Sequence, residues 1–184
     1  MNRQIDLSGQ FSTSVHEERS PVLDLFGRDD RTTVDRENRH FRITAAYHAG
    51  RSLRLKVRVE RSELPPTSVN TGETGLLLYQ DVQVRAIIPG MTIEARLVLF
   101  QTDSYDSRIY EYENDLRGVF TNPALFGKGG RWYILAGYKM GQTLTLSLKY
   151  SRTRKEGVTS LGTGADEIVG DQETNIAAQI DLEL

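Results

Sequence analysis

The chain offers little catalytic raw material: three histidines, no cysteine and a scatter of carboxylates. His16 lies between Ser14 and the pair Glu17 and Glu18, which supplies the residue types of an acyl-transfer triad. Adjacent residues on an extended or looped backbone diverge and cannot converge on one atom, so a solvated loop histidine is the better reading. His40 and His48 have no such neighbours. Asp166, Glu167, Asp171 and Glu173 could offer hard oxygens to calcium, yet their spacing matches no EF-hand loop and reads as a solvated acidic loop. Residues 127–130 hold Lys128 among glycines but lack the Gly-Lys-Ser/Thr order of a phosphate-binding loop. The richest tract is 103–115, where Asp103, Asp106, Glu111, Glu113 and Asp115 mix with Tyr105, Tyr110 and Tyr112. Carboxylates beside aromatic platforms can bind or cleave sugars, so Tyr110, Glu111, Tyr112 and Glu113 are candidate loop ligand contacts. Glycosidases need a defined carboxylate separation that spacing alone does not supply. No dinucleotide fingerprint, metal-ligand cluster or nucleophile elbow occurs, and the expectation is a non-catalytic protein without cofactor or metal.

Any such residues need a scaffold, and composition narrows its class. The chain has 184 residues, 38% hydrophobic and 26% charged, with 25 acids against 23 bases, which is one domain's worth. A net charge of −2 gives no basic field for nucleic acid, and the absence of cysteine excludes a disulfide framework and a thiolate zinc site. No run approaches 18 apolar residues, so no membrane-spanning helix is expected. A mean hydropathy of −0.44 suits a soluble protein. It suits a transmembrane β-barrel equally well, because alternate residues there face a polar lumen. Residues 1–10 contain no apolar run with a cleavage site, so an export signal is expected upstream if the chain is part of a longer protein.

Period-2 alternation dominates, as expected of strands with one apolar and one polar face. Leu144, Leu146, Leu148 and Tyr150 alternate with Thr145, Ser147 and Lys149; Ile176, Ala178, Ile180 and Leu182 alternate with Ala177, Gln179 and Asp181. The pattern predicts eight strands near 2–13, 39–48, 52–63, 75–88, 92–103, 131–140, 142–154 and 174–184. Short turns at 49–51, 89–91 and 141 then alternate with long loops near 14–38, 64–74, 104–130 and 155–173. Short connections at one end and long ones at the other define an up-and-down meander. The expected fold is an all-β antiparallel meander β-barrel of transmembrane type, a single domain over 1–184 and possibly one part of a larger barrel. Arg108 to Leu116 could add a strand, which keeps the parity if it forms a hairpin within its loop.

Function turns on which face points outward. A lipocalin-like soluble barrel holds its apolar face inside around a lipid, whereas a membrane barrel turns it to the bilayer. On the membrane reading, Val57, Val59, Leu97, Leu99, Leu144, Leu146, Leu148, Ile176, Ile180 and Leu182 face lipid. Tyr47 and Tyr138 near the tight turns, with Phe11, Phe41, Trp132 and Tyr150 toward the long loops, form two interfacial aromatic girdles. Arg42, Arg54, Arg58, Glu60, Asp81, Arg85, Glu94, Arg96, Lys149 and Asp181 form a lumenal charge network. Between the girdles about four alternate apolar positions per strand match a hydrocarbon band spanned by strands of about 9–11 residues.

The stretch from Asp103 through Tyr110-Glu111-Tyr112-Glu113-Asn114-Asp115-Leu116, Gly118-Val119-Phe120-Thr121-Asn122-Pro123-Ala124-Leu125-Phe126-Gly127 and Arg131-Trp132-Tyr133, with Gly157-Val158-Thr159-Ser160-Leu161-Gly162 and Gly164-Ala165-Asp166-Glu167-Ile168, carries a resemblance. It resembles the C-terminal part of large outer-membrane β-barrel proteins of the Bacteroidota, often labelled helix-hairpin-helix-containing. About the last 85 residues carry the resemblance; the rest is similar only in pattern. It implies a C-terminal fragment of a larger barrel in the cell outer membrane of a Gram-negative cell. The family's helix-hairpin-helix segment has no counterpart here, so DNA binding does not carry over. The last strand is similar to the C-terminal assembly signal of outer-membrane proteins, although Leu184 stands where an aromatic is usual. Membrane lipid and the outer-membrane assembly machinery are the implied partners.

The expected function is thus a structural or solute-passage (porin-like) outer-membrane protein. The alternatives are a soluble lipocalin-like binder of an apolar ligand and a sugar-binding β-sandwich built around the Tyr-Glu tract.

Overall fold

A computed structural model describes residues 3–23, 29–67, 71–162, 164 and 167–183. The main sheet has eight antiparallel strands: β1 (Arg3–Leu23), β2 (Asp29–Ala49), β3 (Leu53–Leu64), β4 (Glu73–Arg85), β5 (Met91–Thr102), β8 (Lys128–Met140), β9 (Leu144–Lys155) and β12 (Gln172–Leu182). Each pairs with the next in sequence, so the sheet is a meander. Two small hairpins sit in the long connections: β6 (Ile109–Tyr110) with β7 (Ala124–Leu125), and β10 (Ser160–Leu161) with β11 (Ile168–Val169). No α-helix occurs among the described residues.

Each expected strand is present, with shifted ends. β4 stops at Arg85 rather than 88 because Ala86 adopts a left-handed φ of 58° and Ile87–Gly90 form the turn closed by the Met91 N–H donating to the Ile88 carbonyl at 2.9 Å. Gly90 is required there by two constraints: its φ is +84°, and a β-carbon would strike the Lys139 carbonyl of β8. The largest difference is at the first long loop. β1 and β2 run in one unbroken register from Arg3↔Ala49 to Leu23↔Asp29, so most of 14–38 is strand. Antiparallel pairing continues through backbone hydrogen bonds alone, and an apolar face is not needed to propagate it. The alternation that marks a strand in sequence stops where its apolar face stops. The expected apolar alternation at Leu184, and the candidate calcium ligand Asp166, lie outside the described residues.

The sheet is open. β1 and β12 are its edges and are not paired with each other among the described residues. No pairing closes the sheet into the barrel expected from the alternation among the described residues, and the charged face shows what such a closure would have to enclose. An eight-stranded barrel has room for little beyond its own side chains. Here residues 103–127, between β5 and β8, fold back as a hairpin onto that face and occupy the space. The segment that could have broken the strand parity is this hairpin. It lies against the sheet instead of adding a strand to it.

The hairpin and the sheet share a small apolar core: Leu77 and Tyr79 of β4, Val98 and Phe100 of β5, and Ile109 and Leu125 of the hairpin. Gly75 of β4 lets the hairpin backbone come close, since a β-carbon there would overlap the Ser107 carbonyl oxygen. The Thr102 N–H donates to the Gly127 carbonyl at 2.8 Å, and the Asp103 N–H to the Thr74 carbonyl at 3.0 Å, which ties the two ends of the hairpin to the rim of the sheet.

Candidate functional site: the charged inner face

Alternation sends neighbouring residues to opposite faces, and exposure shows which face is covered. Leu97 is 51% exposed, while Arg96 beside it is 5% exposed. Val57, Val59, Leu99, Leu146, Leu148, Ile176, Ile180 and Leu182 share the open face with Leu97, and Ile180 is 69% exposed. Leu144 is half-buried on that face. The aromatic residues expected as girdles also lie on it. Phe11 meets Phe41 with ring centroids 4.8 Å apart, and Trp132 stacks on Tyr150 at 5.1 Å, both pairs toward the long-connection end. Tyr47 and Tyr138 lie near the tight turns, with Tyr138 exposed and Tyr47 half-buried. Gln80, exposed on the same face and paired in register with Val57 and Leu97, interrupts the apolar band.

The inner face gathers the charges. Arg42 donates to Glu60 across β2 and β3 at 2.6 Å, and His40 lies 3.4 Å from the same carboxylate. Arg96 of β5 binds Asp81 of β4 at 2.5 Å. The rest of the basic surface is answered by the hairpin. Arg58 of β3 donates to Glu111 at 2.8 Å and Arg96 to its other oxygen at 3.1 Å. Arg131 of β8 donates to Glu113 at 2.6 Å, and Lys149 of β9 reaches Asp115 at 2.7 Å and Glu113 at 3.5 Å. Arg96 also donates to the Tyr112 carbonyl at 2.6 Å, and Asn114 to Glu94 at 2.5 Å. Four basic side chains from four strands thus converge on three alternating acids. Two buried tyrosines lie among the cations: the Arg96 guanidinium is 4.3 Å from the ring centre of Tyr79, and the Lys149 ammonium 4.8 Å from that of Tyr133.

These contacts place the expected charge network in part. Arg42, Arg58, Glu60, Asp81, Glu94, Arg96 and Lys149 are brought together. Arg54 and Arg85 are exposed at the tight-turn end, and Asp181 accepts a hydrogen bond from Gln179 at 2.8 Å on β12. Of the candidate ligand contacts, Glu111 and Glu113 are buried in ion pairs, Glu113 only 1% exposed, while Tyr110 and Tyr112 point the opposite way and are about half exposed. Arg131, Tyr79 and Tyr133 are participants that sequence reasoning left out, and Asp115 was noted there only as one acid of the 103–115 tract. The signal for Asp115 was present in the period-2 spacing of Glu111, Glu113 and Asp115, which is that of an extended segment with one charged face. Among the described residues no group of three or more His, Asp or Glu side chains is placed to hold a metal ion.

The hairpin acids sit in different electrostatic settings. Burial raises the Glu111 carboxyl above its ordinary value, an effect that Arg58 and Arg96 only partly offset. At Asp115 burial acts in the same direction but is outweighed: hydrogen bonds from Lys149, Thr121 and the Leu116 N–H hold its carboxyl below the usual range.

No family model, no curated protein and no solved structure matches the chain.

Proposed function

We propose that this chain forms part of the wall of an outer-membrane β-barrel, with a structural or solute-passage role and no catalysis. The observation that carries the reading is the inversion between faces: Leu97 and its neighbours are open while Arg96 and the hairpin acids are enclosed. Water is a poor solvent for a sheet face dominated by Leu, Ile, Val and Phe, even one broken by Gln80, and patches of that kind mark a partner or a membrane. Each such side chain taken from water into hydrocarbon contributes about 1.5–3 kcal/mol. Strands β3, β4, β5, β8, β9 and β12, at 11–13 residues, have the length a tilted transmembrane strand needs. The aromatic pairs near the strand ends fit headgroup depth.

An open sheet with a hairpin against its inner face supports a barrel with more strands than these eight, since the interior of a larger barrel accommodates a folded loop. The resemblance of residues 103–168 to the C-terminal part of large outer-membrane barrels of the Bacteroidota agrees with this. On that reading lipid is one partner and the outer-membrane assembly machinery, meeting the last strand, is another. A soluble carrier of an apolar ligand needs the reverse arrangement, with Leu146 and Leu148 enclosed; both are exposed.

Trp132 is the chain's single tryptophan and lies on the apolar face, so it reports on lipid directly. In vesicles of lipids brominated at graded acyl positions, its fluorescence should be quenched most by bromines near the headgroup. A folded, monomeric protein in plain buffer with unquenched Trp132 would defeat the proposal.

A further inference from the structure

The hairpin is held in two different ways along its length. Its base is fixed by apolar packing, Ile109 and Leu125 being fully enclosed against β4 and β5. Its outer part, 111–121, meets the sheet through polar contacts: Glu111, Glu113 and Asp115 bind the buried cations, while the Tyr112 carbonyl, Asn114 and Arg117 make further hydrogen bonds and an ion pair at its margin. Buried ion pairs are a poor way to maximise stability, because desolvating the charges cancels much of their attraction and apolar groups of similar size do as well or better. They differ from apolar packing in one respect: another anion can replace the carboxylate. A second observation points the same way. The ring of fully buried Tyr79 lies under Lys56, Arg58 and Arg96, at 5.0, 5.0 and 4.3 Å from its centre, and its hydroxyl is the one buried side-chain polar atom without a hydrogen-bond partner among the described residues. A buried hydroxyl is rarely left so. On a ring that these cations flank, it keeps an unused proton that an anionic oxygen bound to them could accept.

We propose that Arg58, Arg96, Arg131 and Lys149, with the Tyr79 hydroxyl, form a binding site for a small polyanion bearing two or more phosphate or carboxylate groups, and that the hairpin tip is a tethered competitor occupying it. The geometry suits such a ligand. The four cations lie on strands β3, β5, β8 and β9, and neighbouring strands are about 4.8 Å apart. The row therefore demands several anionic groups in series, as the alternating hairpin acids provide. A single monovalent anion bridges at most two of the cations, as Glu111 bridges Arg58 and Arg96, and leaves the others. When a polyanion binds, the tip lifts while the apolar base stays docked.

The test is amide hydrogen exchange on the full chain in detergent, with tripolyphosphate as probe. Residues 111–121 should exchange at least about fivefold faster when the probe binds, with Ile109 and Leu125 unchanged and sodium chloride at equal ionic strength without effect. Tip exchange indifferent to tripolyphosphate, or equally raised by sodium chloride, overturns the proposal. Tyr79→Phe removes an oxygen that the docked hairpin does not use. It should leave tip protection without the probe unchanged and raise the tripolyphosphate concentration needed by about threefold or more; an unchanged concentration refutes the role of Tyr79. In a second arm, the triple variant E111Q/E113Q/D115N should bind tripolyphosphate about tenfold more tightly than the unaltered chain by calorimetry. A variant with unaltered Trp132 emission and no tighter binding counts against the site; if it does not fold, the exchange experiment on the unaltered chain decides. None of these readouts needs the bilayer, so they can fail or succeed independently of Trp132 quenching.

Discussion

Arg96 of β5 binds three groups on two other segments through one guanidinium: Asp81 of the neighbouring strand, and Glu111 and the Tyr112 carbonyl of the hairpin. Its side chain is 3% exposed, so removing it empties a buried site and leaves Glu111 with Arg58 at 2.8 Å and Asp81 with Lys56 at 3.8 Å as their remaining cations. Arg96→Ala should destabilise the protein by about 3–5 kcal/mol, read by urea unfolding in micelles through Trp132 emission. Arg154, whose pair with Asp171 is largely solvated, is the control, and Arg154→Ala should change stability by less than about 1 kcal/mol. The two hairpin acids give opposite pH signatures. Glu111, held above its ordinary value, binds a proton more readily folded than unfolded, so mild acidification relieves its burial cost and favours the docked tip. Asp115, held below its ordinary value, contributes stability that is present above the usual aspartate range of about 4 and is lost as pH falls below it. Protection of 111–121, corrected for intrinsic exchange, should therefore hold or rise from neutral to about pH 5 and fall below about pH 4. Asp115→Asn should abolish the low-pH fall; a fall that survives the substitution assigns it to another group.

At the scale of elements, the strands were legible because each has two chemically different faces, and a period of two survives any error in their ends. Leu144 to Tyr150 and Ile176 to Leu182 are placed as their alternation requires. What lay hidden was docking. Leu76, Leu77, Leu78 and Tyr79 are apolar on both faces, so the inward pair Leu77 and Tyr79 carried no contrast with the outward pair, and their partners Ile109 and Leu125 sit among loop-forming residues. An acidic tract in a long loop looks solvated until the basic surplus opposite is counted. Long-range charge complementarity has no local period to reveal it. The same reasoning locates a steric test. Gly75→Val places a branched side chain where Ser107 backbone lies, and should cost about 1–3 kcal/mol while raising exchange at the hairpin base as well as its tip. Gly137, with nothing closer than the Ser147 hydroxyl at 4.0 Å, should accept Ala with little loss of hairpin protection.

For the whole molecule, the two faces set the solvent each side requires. With the apolar face outward and both edges unpaired, the eight strands transferred from detergent into buffer should associate, and light scattering should rise as detergent is diluted below its micellar threshold. A clear, monodisperse solution of folded protein at that point would count against a lipid-facing sheet. The meander order also bears on assembly. Every strand pairs with its sequence neighbour, so the sheet can be laid down by successive hairpins without a long-range crossover, and β1 closes against β2 before anything further is needed.

The first two strands outlast the rest. Register with β3 ends at Arg39↔Glu63, whereas β1 and β2 continue pairing to Leu23↔Asp29. Ten further rungs at about 3.4 Å each make a two-stranded mast about 30 Å tall, rising from an otherwise level rim. Arg36 ties its base to Glu73 of β4 at 3.2 Å and to Asp106 at 2.9 Å, and above that level the two strands are joined by their own ladder. The mast is thus the first part of the protein that a protease, an antibody or an approaching macromolecule would reach, and trimming it should leave the sheet beneath intact.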